Sequence, residues 1–143
     1  MSNNKVFELI SIALMISHEY PYQLAQTYLY NTNSEAFERQ EDVLNTLQLS
    51  VDSFFPYDYG YIPLPELLDN DTKKEYLQSF HNKKWDKQFW EIKDGWEFRE
   101  RFRIEFKHTE MYSGWWRFHI QKAMNLARTW CQENGIRYSE PKD

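Results

Sequence analysis

Trp96-Glu97-Phe98-Arg99-Glu100-Arg101-Phe102-Arg103-Ile104-Glu105-Phe106-Lys107-His108 is the stretch on which the reading of the fold turns. Its even positions are mostly large and apolar and its odd positions up to Lys107 are all charged. This period of two predicts a strand with one buried and one solvated face. Trp90 and Ile92 alternate in the same way upstream, and Asp94-Gly95 lies between the two runs as a hairpin turn. A two-residue loop would set Lys93 against Trp96 and bring charges opposite the apolar set. A three-residue Lys93-Asp94-Gly95 loop pairs Ile92 with Trp96 and Trp90 with Phe98, with Gly95 at positive φ, and is the preferred register. A helix is the alternative, because Phe98, Phe102 and Phe106 are also four residues apart.

Downstream, Trp116, Ile120, Ala123, Met124, Ala127 and Trp130 form one helical stripe. Ser113 can cap its start, and Asn134-Gly135-Ile136 predicts a Schellman end. Upstream, apolar periodicity predicts a helix from Asn4 to about Ser17 and a second opened by Pro21 and carrying Leu24, Ala25, Tyr28 and Leu29. A third follows the Thr32-Asn33-Ser34-Glu35 capping cluster, and a short fourth, capped by Asp71 or Thr72, carries Tyr76, Leu77 and Phe80. Residues 52–66 hold three of the five prolines and read as an ordered loop, its rings either roofing the core or facing a partner. The class expected is α+β: a helix-rich N-terminal half, a β-hairpin around Asp94-Gly95 and a C-terminal amphipathic helix.

The chain has 143 residues, the size of one domain, and residues 1–143 are assigned to one. Aromatic residues make up 18%, which excludes disorder despite a mean hydropathy of -0.82. The single cysteine, Cys131, cannot close an internal disulfide, so a reducing, cytoplasmic setting is the simplest expectation. Val6 to Ile16 is too short to span a bilayer and is interrupted by Glu8 and Ser11, so no membrane association is expected. Charge is segregated. Residues 1–72 carry 11 acidic side chains against 2 basic, whereas residues 73–143 carry 11 acidic against 15 basic.

The residues that could carry chemistry are sparse. His18, His81, His108 and His119 are scattered without zinc-site spacing, and four dispersed glycines build no phosphate loop. No serine sits in a nucleophile elbow, and no cofactor or metal is expected. Pro56-Tyr57-Asp58-Tyr59-Gly60-Tyr61-Ile62-Pro63, followed by Asp69-Asn70-Asp71, resembles the metal-site segment of soluble family I inorganic pyrophosphatases. That resemblance implies Asp69 and Asp71 as magnesium ligands and Tyr59 in a phosphate pocket. The proline and third aspartate expected next in that family are Thr72 and Lys74 here. Arg103 and His108 have the Arg-x4-His spacing similar to the catalytic pair of HEPN ribonucleases. The row Arg99, Arg101, Arg103 and Lys107 could meet phosphates, but Glu97, Glu105 and the net charge of -5 dilute its field and argue against nucleic acid.

With no complete catalytic set, the expected function is non-catalytic: an acidic inhibitor of the immunity or antitoxin type, binding a basic partner such as a nuclease toxin. The expected binding surface is Asp52, Tyr57, Asp58, Tyr59 and Tyr61 with Asp69 and Asp71, where carboxylates steer a basic partner and tyrosines anchor it. The alternative is phosphate chemistry, through the 56–71 segment or through Arg103 and His108.

Overall fold

The computed structural model describes residues 5–142 as an α+β fold, with six α-helices and three small sheets among them. Strand β1 (Val6–Glu8) runs straight into α1 (Leu9–Ile16) and pairs in parallel with the last strand, β7 (Arg137–Ser139). The two-residue β2 (Ser17–His18) pairs in parallel with β6 (Leu67–Leu68). Between them β3 (Tyr28–Asn31), β4 (Ala36–Arg39) and β5 (Tyr61–Pro63) form an antiparallel sheet with β3 in the centre. Helix α2 (Gln40–Leu47) follows β4, and α3 (Asp69–Gln78), α4 (Lys83–Phe89), α5 (Gly95–Phe106) and α6 (Glu110–Asn134) complete the chain.

The deciding stretch is helix, not hairpin, and the reason is local. Asp94 is an N-cap: its carboxylate accepts from the backbone N–H groups of Trp96 and Glu97 at 2.8 and 3.1 Å. Gly95 is the first helical residue and is not at positive φ; a Cβ there would strike the Tyr20 ring. The buried face is Phe98, Phe102 and Phe106, whereas Trp96 and Ile104, which a strand would also bury, are exposed. Arg103 pairs with Glu100 at 2.8 Å across one helical turn, and Arg and Glu are strong helix formers. Trp90, placed on the hairpin's buried face, is exposed as well.

Three other assignments move for tertiary reasons. The first helix begins at Leu9 because Val6–Glu8 is claimed by β7, over a hundred residues downstream; Asn4 lies outside the described residues. The second is no helix. Leu24–Gln26 makes one 3-10 turn, and Tyr28–Asn31 is a strand paired on both edges. Thr32–Glu35 is the turn of the β3–β4 hairpin, where the Asn31 side chain accepts from the Asn33 and Ser34 N–H groups, so the third helix starts only at Gln40. Within the loop at 52–66, Tyr61–Pro63 forms the edge strand β5, a position where proline costs no ladder bond. Helix α4, absent from the sequence reading, is capped by Asn82.

Helix α6 ends as expected. Gly135 is left-handed and the Ile136 N–H donates to the Cys131 carbonyl at 2.9 Å, the long bond of a Schellman cap. At 25 residues it is about 37 Å long at 1.5 Å per residue, and it walls two cores. Its C-terminal half packs Ala123, Ala127, Trp130 and Cys131 against Leu9, Ile12, Ala13 and Ile16 of α1. Its first turns bring Trp115 to a second core of rings and Leu77 from α3, α4 and α5. The buried stripe there runs through Trp115 and His119, one position off the predicted Trp116 and Ile120. A third cluster joins Leu29, Val43 and Phe54.

The helix assignment has a direct energetic consequence. Phe102→Ala empties a fully buried site and is expected to cost about 3–5 kcal/mol. Ile104→Ala, at a residue 69% exposed, should cost less than about 0.5 kcal/mol. Urea denaturation of both variants measures the pair; comparable large losses would restore the strand.

Candidate functional site

The residues singled out from sequence separate into an exposed rim and a buried network. The rim is 51–61. Phe54 turns inward onto Val43 and Leu29 and packs beside Tyr59 and Tyr61 at 5.7 and 6.3 Å. Six residues on, Gly60 takes a left-handed φ of 81°, and its carbonyl accepts from the Thr32 N–H and hydroxyl at 2.9 and 2.8 Å. Between these two anchors the 3-10 turn Pro56–Tyr59 holds its exposed side chains outward, and the 3-10 turn Val51–Ser53 leads into Phe54. Phe55 is 63% and Tyr57 72% exposed, Tyr59 is also exposed, and Asp52 and Asp58 stand beside them in solvent. Phe55 was absent from the sequence-based set, although it shares the Pro56 turn with Tyr57. Tyr61 differs from its neighbours: it is half-buried, its hydroxyl lies 3.4 Å from Glu38, and burial and that carboxylate raise its pKa.

Asp69 does not join the rim, since it is buried at the start of α3. Its carboxylate accepts from the Tyr20 and Asn70 N–H groups at 2.9 and 2.8 Å and lies 3.5 Å from Lys73 Nζ. Lys73 is itself buried, with its ammonium 4.7 Å over Trp115 and 5.3 Å over Phe102. Burial lowers the Lys73 pKa and Asp69 opposes that shift. Asp71, two residues along the same helix, is exposed. The two carboxylates therefore face different surroundings and do not converge, and among the described residues no cluster of three or more His, Cys, Asp or Glu could hold a metal ion. Arg103 is engaged by Glu100, and His108 is exposed in the α5–α6 turn at a φ of 63°.

His119 is the residue that sequence reasoning passed over. It is fully buried on α6, with Nε2 at 2.6 Å from Ser17 Oγ and Nδ1 at 2.7 Å from Thr72 Oγ1. The Thr72 hydroxyl also accepts from Trp115 Nε1–H at 3.0 Å and lies 3.0 Å from the Asp69 carbonyl. If Thr72 donates to that carbonyl, the imidazole donates through Nδ1 and accepts the Ser17 proton at Nε2; if Thr72 donates to Nδ1, the ring roles reverse. Both arrangements satisfy a neutral ring, the form burial favours. A serine hydrogen-bonded to histidine has the form of an activated nucleophile, but here the imidazole is enclosed and stacked against Trp116, and its second partner is a hydroxyl where a triad places a carboxylate. The geometry is that of a structural bolt. The only advance signal was the one-turn spacing of Trp115 and His119.

Burial also pushes the Cys131 thiol up to about 11, which leaves it a packing group. No helix among the described residues is long and apolar enough to cross a membrane. The chain matches no family model, and no curated protein or solved structure matches it.

Two measurements probe the network. Asp69→Asn strands a buried ammonium and should cost roughly 3–5 kcal/mol in urea denaturation, against less than about 0.5 kcal/mol for Asp71→Asn. His119 is held below its ordinary 6.5 by burial, as is His18. The unfolded chain therefore takes up these protons first, so stability is complete above pH 6.5 and is lost as pH falls through 6.5 toward the lowered folded values. Denaturation midpoints should fall from pH 7.5 to pH 5 in the wild type, and the His18→Gln, His119→Gln double variant should flatten that slope.

Proposed function

We propose that the protein is a non-catalytic binding module that docks a basic protein partner through the 51–59 rim, in the manner of an inhibitor, immunity protein or antitoxin. The observation that supports this most is the outward display of Phe55, Tyr57 and Tyr59 on a segment anchored at both ends. Rings held out without a covering element, beside Asp52 and Asp58, combine anchor area with a field that attracts cations. The anchoring lowers the ordering cost of binding, since the turns are already formed. The neighbouring α2 adds Glu41 and Asp42 in its first turn, on the half of the chain that carries 11 acidic and 2 basic side chains.

A nuclease suits this surface because its own substrate face is basic, built to hold phosphates. Carboxylates then steer association and occupy that face, while the rings slow dissociation. A cytoplasmic setting belongs to the same reading and rests on the single buried cysteine.

The test is capture at low salt from the native host, followed by kinetics with the retained protein. A basic partner is expected, with Tyr57→Ala weakening it at least about tenfold while the melting temperature stays within about 2 °C of wild type. Asp52→Asn with Asp58→Asn should slow association several-fold at low ionic strength and far less at high. Affinity and association rate unchanged in all these variants would refute the docking surface.

A further inference from the structure

A second site lies on the opposite-charge half of the chain. Helices α3, α4 and the start of α5 enclose a cleft of about 410 Å³, within the range of small-molecule sites. Leu77, Phe89 and Phe98 form its buried floor. Trp85 and Trp90 stand at its sides, and Trp90 is 69% exposed, an unusual position for an indole with nothing over it.

The polar groups of the cleft decide what it would take. Lys74 reaches over the floor with Nζ 5.0 Å from the Phe98 ring, and Lys93, which follows Ile92 in the link between α4 and α5, is the second lysine of the lining. Among the described residues neither lysine is in an ion pair. Asp86 is the one acidic lining residue, so the cleft carries two cations against one anion. A cationic guest would face two ammonium groups, and an uncharged one would leave them unused.

We propose that this cleft binds a small aromatic anion, a carboxylate or sulfonate whose rings lie on Phe89 and Trp90 and whose charge is held between Lys74 and Lys93. The rings supply area and edge-to-face contact, and the ammonium groups fix orientation. The site is separate from the 51–59 rim, and neither depends on the other.

The probe is 8-anilinonaphthalene-1-sulfonate, titrated into the folded protein at low salt and followed by energy transfer from tryptophan. One bound equivalent is expected, displaced by 2-naphthoate but not by 2-naphthylmethanol. Lys74→Gln with Lys93→Gln should weaken binding about tenfold with a melting temperature within about 2 °C of wild type, because both side chains are solvated and neither is in an ion pair. Asp86→Asn should tighten it by removing the repelling carboxylate. Binding equally strong in the lysine double variant, equal displacement by the neutral alcohol, weakening by Asp86→Asn, or no saturable binding would each overturn the proposal.

Discussion

The imidazole of His119 holds together parts of the chain that share little else. It sits on α6 near where the aliphatic core against α1 gives way to the aromatic core against α3 and α5. Its two nitrogens are bonded to Ser17 on one side and Thr72 on the other. Thr72 in turn accepts from Trp115 and lies against the Asp69 carbonyl, and Asp69 holds both Lys73 and the Tyr20 backbone. The short parallel pair β2–β6 is set between these partners. Buried polar chains of this kind are stable only when each member is satisfied. Asn70 Oδ1, beside the network, accepts no bond among the described residues, while its amide donates to the Gly95 carbonyl at the start of α5.

That junction joins the acidic half of the chain to the basic half. The acidic half supplies the sheet and the rim of rings, and the basic half supplies the aromatic core and its open cleft. Because the rim is set on β3, α2 and the hairpin turn, it does not need the polar network for its own shape, only for attachment to the rest. This separation is why variants at Tyr57 and at Asp69 are expected to read out differently: one side chain meets solvent, the other neutralises a buried ammonium.

Legibility from sequence followed the range of the interaction concerned. The end of α6 is legible because Asn134, Gly135 and Ile136 carry the whole Schellman device locally, whereas the expected cap of α3 at Asp71 or Thr72 falls inside the helix, which starts at Asp69 without a side-chain cap while Thr72 bonds His119. The period-two reading of residues 96–106 fails because a charged helix with phenylalanine every fourth position and further apolar side chains at Trp96 and Ile104 also satisfies that period. The evidence against a strand lay in Asp94, whose capping role competes with its use in a turn. Strands β1 and β5 pair with partners distant in sequence, which no local pattern shows, and the local β3–β4 hairpin is hidden because its turn residues Thr32–Glu35 also have capping-box spacing. The rim is visible as a proline-bounded ring cluster, but Asp69 joins it only by proximity in sequence, and burial of its carboxylate against the Tyr20 backbone and Lys73 separates them.

Hydroxyl-radical footprinting with and without the captured basic partner reads side-chain exposure residue by residue and tests the docking account most directly. The account predicts that oxidation of Phe55, Tyr57 and Tyr59 falls sharply in the complex while Trp90 and Trp96, also exposed in the free protein, react as before. Protection of Trp90 or Trp96 with Phe55 and Tyr57 still reactive would contradict it.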